Sequence, residues 1–274
     1  MNPADVRLLK DGDLDTREEN LRLLLVRAAD GDASAKEALC ALVRDYPDYH
    51  RSLYSRALNR AAVFGDDTLR APLLAALADT RYNCQAWAAM GCAALGFRDA
   101  VPGLVAMLDH SQQMAREQAV IALGTLADES VVPALTPVLQ DSIVGMRERA
   151  AEALGLIGGE AALAALWNEF EHRRYYRIGY IASALATFAP DVIPRLCAAA
   201  DSADPDQRYW AAVALGSTGD DRAVPTLERL MANDRGSTVF DGMVSVAAKK
   251  GLRTLRRIQA AIAARESGTG SAIG

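Results

Sequence analysis

The side chains best suited to chemistry in this sequence are aromatic and arginine residues near its middle. Residues 171–177 read Glu-His-Arg-Arg-Tyr-Tyr-Arg, and a second aromatic pair follows about thirty residues later. Tyrosine, tryptophan and arginine dominate the binding energy of many protein interfaces. We therefore predict a binding site made of Arg173, Arg174, Tyr176, Arg177, Tyr180, Tyr209 and Trp210.

The same rings have a second interpretation, which the sequence leaves open. Tyr180 and Trp210 each stand beside a small residue, Gly179 and Ala211, and would fill the space that those residues leave. If the rings do bind a partner, the neighbouring arginines would hold carboxylates through paired hydrogen bonds. The expected partner is then a protein or peptide with an acidic segment.

Three carboxylates form a secondary candidate site. Glu117, Glu148 and Glu152 occupy similar places in their helical segments and would make part of a groove acidic. The alternative is that these side chains are solvated surface charges.

Residues typical of catalysis or metal binding are sparse. His50, His110 and His172 are each isolated in the sequence. The motifs His-Glu-x-x-His and Gly-x-Ser-x-Gly do not occur, and neither does a glycine-rich phosphate loop. The sequence therefore predicts no catalytic residues, no metal site and no cofactor.

A repeat of about 31 residues positions the candidate side chains. Each copy has two apolar stripes at helical spacing, separated by a polar turn. A proline in the first stripe precedes a glycine in the second by 22 residues in three copies, at Pro102 and Gly124, Pro133 and Gly155, and Pro194 and Gly216. Proline fits the first turn of a helix. Because neither helix can bury its stripe alone, the copies should stack into a solenoid.

The second stripe of each copy shows what family the repeat resembles. The segments 147–155 and 208–216, Arg-Glu-Arg-Ala-Ala-Glu-Ala-Leu-Gly and Arg-Tyr-Trp-Ala-Ala-Val-Ala-Leu-Gly, resemble the second helix of HEAT repeats, in particular the bacterial HEAT-like, phycobilisome-lyase-type repeats. The resemblance covers residues 66 to about 260. It implies an all-α, right-handed α-α superhelix of about six helical hairpins, with the second helices lining its concave face.

The resemblance implies two classes of function. The first is a non-catalytic scaffold or adaptor that binds a protein or peptide through the concave face. The alternative is an enzyme or small-ligand-binding protein, with a lyase-like or accessory biosynthetic role, that uses the aromatic and arginine-lined groove of repeats four and five.

Acidic and arginine residues recur around the turns of the repeats. The pairs are Asp109 and Arg116, Asp141 and Arg147, and Asp201 and Arg208. We interpret them as a structural ladder of hydrogen bonds and ion pairs along the turns.

The pattern along the chain predicts four segments. These are a flexible N-terminal arm at 1–16, an irregular helical cap at 17–65, the repeat solenoid at 66–266 and a disordered tail at 267–274. An atypical terminal repeat is expected because the end of a solenoid must cover its core.

Composition indicates which partners and which cellular location to expect. A net charge of −5 argues against a nucleic-acid partner. No run of 18 apolar residues or secretory signal is visible, so we expect no membrane span and a cytoplasmic location. The four cysteines form no Cys-x-x-Cys pair and should be buried free thiols, at Cys40, Cys84, Cys92 and Cys197.

Overall fold

The fold is all-α, as the sequence predicts. The computed structural model describes residues 9, 13–45, 51–79, 84–172, 175 and 177–266. In these ranges, helices are joined by turns and short 3-10 segments, and the one β-type pairing is an isolated bridge between Ser237 and Met243. None of the described helices combines the length and apolar character needed to span a bilayer.

The N-terminal part is helical but does not follow the repeat. Its helices are α1 (Leu14–Ala29), α2 (Ala33–Asp45), α3 (Arg51–Asn59) and α4 (Ala61–Phe64). Asp13 starts α1, because its carboxylate accepts the backbone N–H of Thr16 at 2.8 Å. Residues 14–16, at the end of the predicted flexible arm, are helical, and Leu9 is buried; the arm at 1–16 otherwise stays a prediction. Residues 1–8 and 10–12 of that arm lie outside the described residues.

Six helix pairs follow, in the places that the 31-residue period predicts. They are α5 (Arg70–Ala76) with α6 (Cys84–Leu95), α7 (Val101–Ala106) with α8 (Gln113–Leu126), α9 (Val132–Leu135) with α10 (Val144–Ile157), α11 (Gly159–His172) with α12 (Gly179–Ala186), α13 (Ile193–Ala199) with α14 (Pro205–Ser217), and α15 (Val224–Asn233) with α16 (Val244–Glu266). Pro102, Pro194 and Pro225 lie in the first turns of their helices. The predicted disordered tail at 267–274 lies outside the described residues.

The core repeats with the same period as the sequence. Cys92, Leu123, Leu154, Leu185 and Leu215 lie in five successive second helices, and each is fully buried. Their spacing of 30 or 31 residues gives each of these second helices one buried side chain at the equivalent position of its repeat. Each second helix is therefore fixed in rotation by its buried stripe, and this determines which residues remain exposed.

The chain divides into two compact units, Met1–Ala134 and Leu135–Gly274. This division falls inside α9 rather than at the predicted boundary between cap and solenoid at residue 65. The assignment of 17–65 as a cap therefore stays a prediction. Within the second unit, the second helices pack in sequence, α10 on α12, α12 on α14 and α14 on α16.

Candidate functional site

The recurring turn arginines hold the repeats together internally. One guanidinium nitrogen of each donates to a backbone carbonyl in the turn before its own helix, at 2.8 Å in all three cases: Arg116 to His110, Arg147 to Asp141, and Arg208 to Ser202. These bonds satisfy carbonyls that the preceding helix leaves without partners. The arginines are therefore structural, and they are not free to bind a ligand.

Arg208 also joins two repeats of the second unit. Its Nε and Nη2 donate to the two carboxylate oxygens of Asp234 at 2.7 and 3.1 Å. The hydrogen bond from Arg208 holds the pKa of Asp234 below its ordinary value, although burial opposes this shift. Asp201 does not pair with Arg208; it binds Arg229 at 2.6 Å.

Arg147 is the most buried of the three turn arginines. Its side chain is 7% exposed, and its guanidinium carbon lies 3.7 Å from the centroid of the Tyr175 ring. The Tyr175 hydroxyl donates to the carbonyl of Gln140 at 3.2 Å. Burial raises the pKa of Tyr180, and a hydrogen bond with Arg147 partly offsets that rise. Tyr180 therefore keeps its hydroxyl proton at neutral pH.

Among the described residues of the predicted aromatic site, Trp210 is not part of an exposed patch. Trp210 is buried, and its ring packs where a side chain on Gly179 would otherwise lie. Tyr209 stacks edge-on against Trp210, with ring centroids 5.1 Å apart. Trp210 therefore fills space, as the second interpretation of the sequence holds, and its predicted role as a surface anchor is corrected. Among the predicted rings that the structure describes, Tyr180 lines a groove.

The predicted arginines are only partly described. Arg173, Arg174 and Tyr176 lie outside the described residues. Arg177 is exposed, and its Nε is 3.8 Å from a carboxylate oxygen of Asp241. Burial raises the pKa of Asp241, and Arg177 partly opposes this. The predicted role of Arg177 in binding a partner stays a prediction.

A groove between α10 and α12 joins parts of the two predicted sites. It has a volume of about 520 Å³. Six of its nine lining residues are exposed, so its wall opens to solvent. The groove is lined by Glu148, Arg149, Glu152, Gly155, Leu156, Tyr180, Ser183, Ala184 and Thr187.

The chemistry of this α10/α12 groove is acidic at one end and apolar at the other. Glu148 and Glu152 stand one turn apart on α10, and Glu152 accepts a hydrogen bond from Arg149 at 2.9 Å. Glu148 has no ion pair with any described residue. Leu156 is 65% exposed, so its side chain is accessible for apolar contact in the groove. Leu156 is not among the residues predicted from the sequence, although its position two residues after the core residue Leu154 indicates the exposed face of the helix.

Glu117, the third predicted carboxylate, lies on α8 in the first unit and is half-buried.

The first unit has its own groove between α1 and α3, of about 420 Å³. Charged side chains line it, and they pair with one another, Arg22 with Glu19 at 2.6 Å and Arg56 with Glu18 at 3.0 Å. Because these charges already neutralise one another, the α10/α12 groove is the better candidate site.

The described residues contain no group of three or more histidine, cysteine, aspartate or glutamate side chains arranged to hold a metal ion. Cys40, Cys84 and Cys92 are buried free thiols as predicted, whereas Cys197 is partly exposed. Burial raises the pKa of the Cys40 thiol to about 11 and that of Cys92 to about 12. Neither buried thiol is therefore a nucleophile at neutral pH.

Comparison with known proteins supports the repeat architecture. A family model described as HEAT repeats matches residues 70–142, 101–179 and 170–242, which together span more than half of the chain. No curated protein matches the sequence significantly.

Three solved structures illustrate the similarity. The YibA protein of Escherichia coli is 16% identical with a TM-score of 0.52, covering 94% of this chain and 93% of that one. An engineered protein is 21% identical with a TM-score of 0.50, covering 93% and 79%. The complex of CpcE and CpcF of phycocyanin lyase from Nostoc sp. PCC7120 is 22% identical with a TM-score of 0.40, covering 93% and 95%.

Proposed function

This chain belongs to the HEAT repeat family, and we propose from this that it is a non-catalytic scaffold or adaptor that binds a segment of a partner protein. The binding site is the α10/α12 groove. One observation carries the proposal: the groove combines an exposed leucine, a half-buried tyrosine and an unpaired glutamate in one open cleft between two successive second helices.

The open wall favours a polypeptide over a small molecule. Ligand pockets for small molecules bury most of the ligand surface, whereas the exposed residues along this groove leave one side in water. The side chains of α10 and α12 project from two rigid helices whose rotation is fixed by Leu154 and Leu185 in the core. An extended or helical segment lying along the cleft would contact both helices without requiring a change of fold.

The lining indicates what that segment contains. Leu156 and the Tyr180 ring would bury an apolar side chain of the partner. Glu148 would accept hydrogen bonds from a lysine or arginine, and Tyr180 supplies a hydroxyl that remains protonated. The partner segment therefore contains a lysine or arginine next to an apolar residue. The acidic partner expected from the arginine cluster does not fit this groove.

A cytoplasmic location is part of the proposal. Three buried free thiols are compatible with a reducing compartment. An enzymatic role is not proposed, because no observation in the described residues favours a specific reaction.

The proposal is tested by selecting phage-displayed peptides on the full chain. The selected peptides should share a lysine or arginine next to an apolar residue. Replacing Leu156 by Asp should weaken their binding at least about tenfold, because a charge would replace the apolar contact. The matched control is Val26→Asp on α1, which changes a residue that is 51% exposed and lies outside the groove. Selected peptides that bind both variants as tightly as the parent would place the site elsewhere.

A further inference from the structure

The last helix carries five cationic side chains on one exposed face. Lys249, Lys250, Arg253, Arg256 and Arg257 are all exposed on α16. With about 100° of rotation per residue, they fall within an arc of roughly 120°. We call this surface the cationic ridge.

The ridge lies opposite the face by which α16 packs on α14 and α15. The buried residues of α16 include Val244, Ala247, Ala248, Leu252 and Leu255. Their arc is centred roughly 180° from the centre of the ridge. The core therefore fixes the rotation of α16 and holds all five cations in water, pointing away from the protein.

The ridge differs from other charged surfaces of the described chain. Arg208 on α14, Arg222 just before α15 and Arg229 on α15 each pair with an aspartate at 2.6–2.8 Å. No carboxylate among the described residues forms an ion pair with a cation of the ridge. The positive charge of the ridge is therefore not neutralised within the part of the chain that the structure describes.

Concentrating these charges opposes helix formation. Arg253 has four like-charged neighbours three or four positions away, a spacing at which like charges repel and destabilise a helix. Cations favour the last turn of a helix, but these lie in the middle of α16. Solubility alone would be served by mixed charges. A helix face that carries only positive charge is explained if a negatively charged partner binds to it.

We propose that the cationic ridge is a docking surface for an acidic segment of a partner protein. The ridge runs about 12 Å along α16, at 1.5 Å per residue, which matches about four residues of extended chain. Nucleic acid fits less well. Its phosphates would extend far beyond the ridge and would be repelled by the rest of the protein, since the chain has a net charge of −5. The ridge also offers no aromatic ring on which a base would stack. This inference does not depend on the α10/α12 groove.

The test measures binding of a fluorescent polyglutamate peptide to the full chain by anisotropy at about 50 mM salt, where screening is weak. The ridge variant is Lys250→Ala, Arg253→Ala, Arg257→Ala. The matched control is Arg60→Ala, Arg98→Ala, Arg265→Ala, which removes the same charge from three exposed positions outside the ridge. We expect the ridge variant to bind at least about tenfold more weakly than the parent and the control to stay within about twofold. Circular dichroism checks that both variants fold.

Three results would overturn the proposal. The first is failure of the parent to bind polyglutamate. The second is an equal loss of affinity in the ridge variant and the control, which would indicate that only net charge matters. The third is a single-stranded oligonucleotide that binds through the ridge more tightly than polyglutamate, which would make the surface a nucleic-acid site.

Discussion

Gly216 of α14 and Gly251 of α16 bring two helix backbones into direct contact. A methyl group added to Gly216 would overlap the backbone of Gly251. Gly155 occupies the same place in its own repeat, but a methyl group there would meet the Thr187 hydroxyl at 3.1 Å, which is a side chain that can move. The repeat pattern alone predicts the same tolerance to substitution for both glycines. The packing shows that Gly216 meets a backbone and Gly155 a side chain.

We expect Gly216→Ala to lower the free energy of unfolding by about 1–3 kcal/mol, because the two backbones must separate. Gly155→Ala should be close to neutral, since the gain in helix propensity of about 1 kcal/mol offsets the tighter contact. Urea unfolding monitored by circular dichroism measures both. Equal stability of the two variants would contradict the helix contact.

The Arg208–Asp234 ion pair should make stability depend on pH. The pKa of Asp234 is lowered in the folded protein, so its contribution is complete above the unfolded value of about 3.9 and is lost as pH falls through the folded value. At pH 7, Asp234→Asn should cost about 2–4 kcal/mol, because it leaves a mostly buried arginine without its partner. The difference from the parent should shrink at about pH 3. A difference that stays constant across this range would show that the ion pair is not its cause.

Arg147 and Arg149 are two residues apart but should differ in their effect on stability. Arg147 is buried, donates to the Asp141 carbonyl and stacks on Tyr175. Its replacement by alanine should cost about 2–3 kcal/mol. Arg149 is exposed and pairs with Glu152, so its replacement should cost about 0.5 kcal/mol or less. Thermal unfolding measures the stability of both variants. Similar losses of stability would contradict the structural role of the hydrogen bond from Arg147 to the Asp141 carbonyl.

The four cysteines should separate by reactivity. Cys197 is partly exposed, whereas the other three are buried and the pKa values of Cys40 and Cys92 are raised to about 11 and 12. At pH 8 a disulfide reagent such as DTNB should therefore react rapidly with one thiol in the native protein and with all four after unfolding. Rapid reaction of several thiols in the native protein would show that the core around α2 and α6 opens readily.

The helices and the core were predictable because burial repeats with the helical period. Leu21, Leu24 and Ala28 form an apolar stripe in the sequence, and all three are buried. The 31-residue period likewise locates Leu154 and Leu185 in the core. These predictions need only the local rule that apolar residues three or four apart share one helix face.

The candidate site was less predictable because it depends on contacts between helices. The sequence separates Glu148 and Glu152 from Tyr180, but the register of α10 against α12 brings them to one groove. The burial of Trp210 depends on the missing side chain of Gly179 on the neighbouring helix. The sequence offers both interpretations of that ring, and only the packing of α12 on α14 decides between them.

Tyr180 provides a direct test of the groove as an anchor site. Tyr180→Ala should weaken a selected peptide about thirtyfold, equivalent to about 2 kcal/mol. Tyr209→Ala serves as its control, because Tyr209 stacks on Trp210 and does not line the groove. Calorimetric titration measures both affinities. Equal losses in the two variants would indicate a general effect on the second unit.

The central claim is that the carboxylates of the α10/α12 groove recognise a basic partner segment. The most direct measurement titrates a selected peptide, and a counterpart with its lysine or arginine changed to glutamate, against the parent and against Glu148→Arg, Glu152→Arg. The account predicts that the parent prefers the basic peptide and that the variant reverses this preference, because charge complementarity is exchanged between the partners. The same preference for the basic peptide in parent and variant would contradict it.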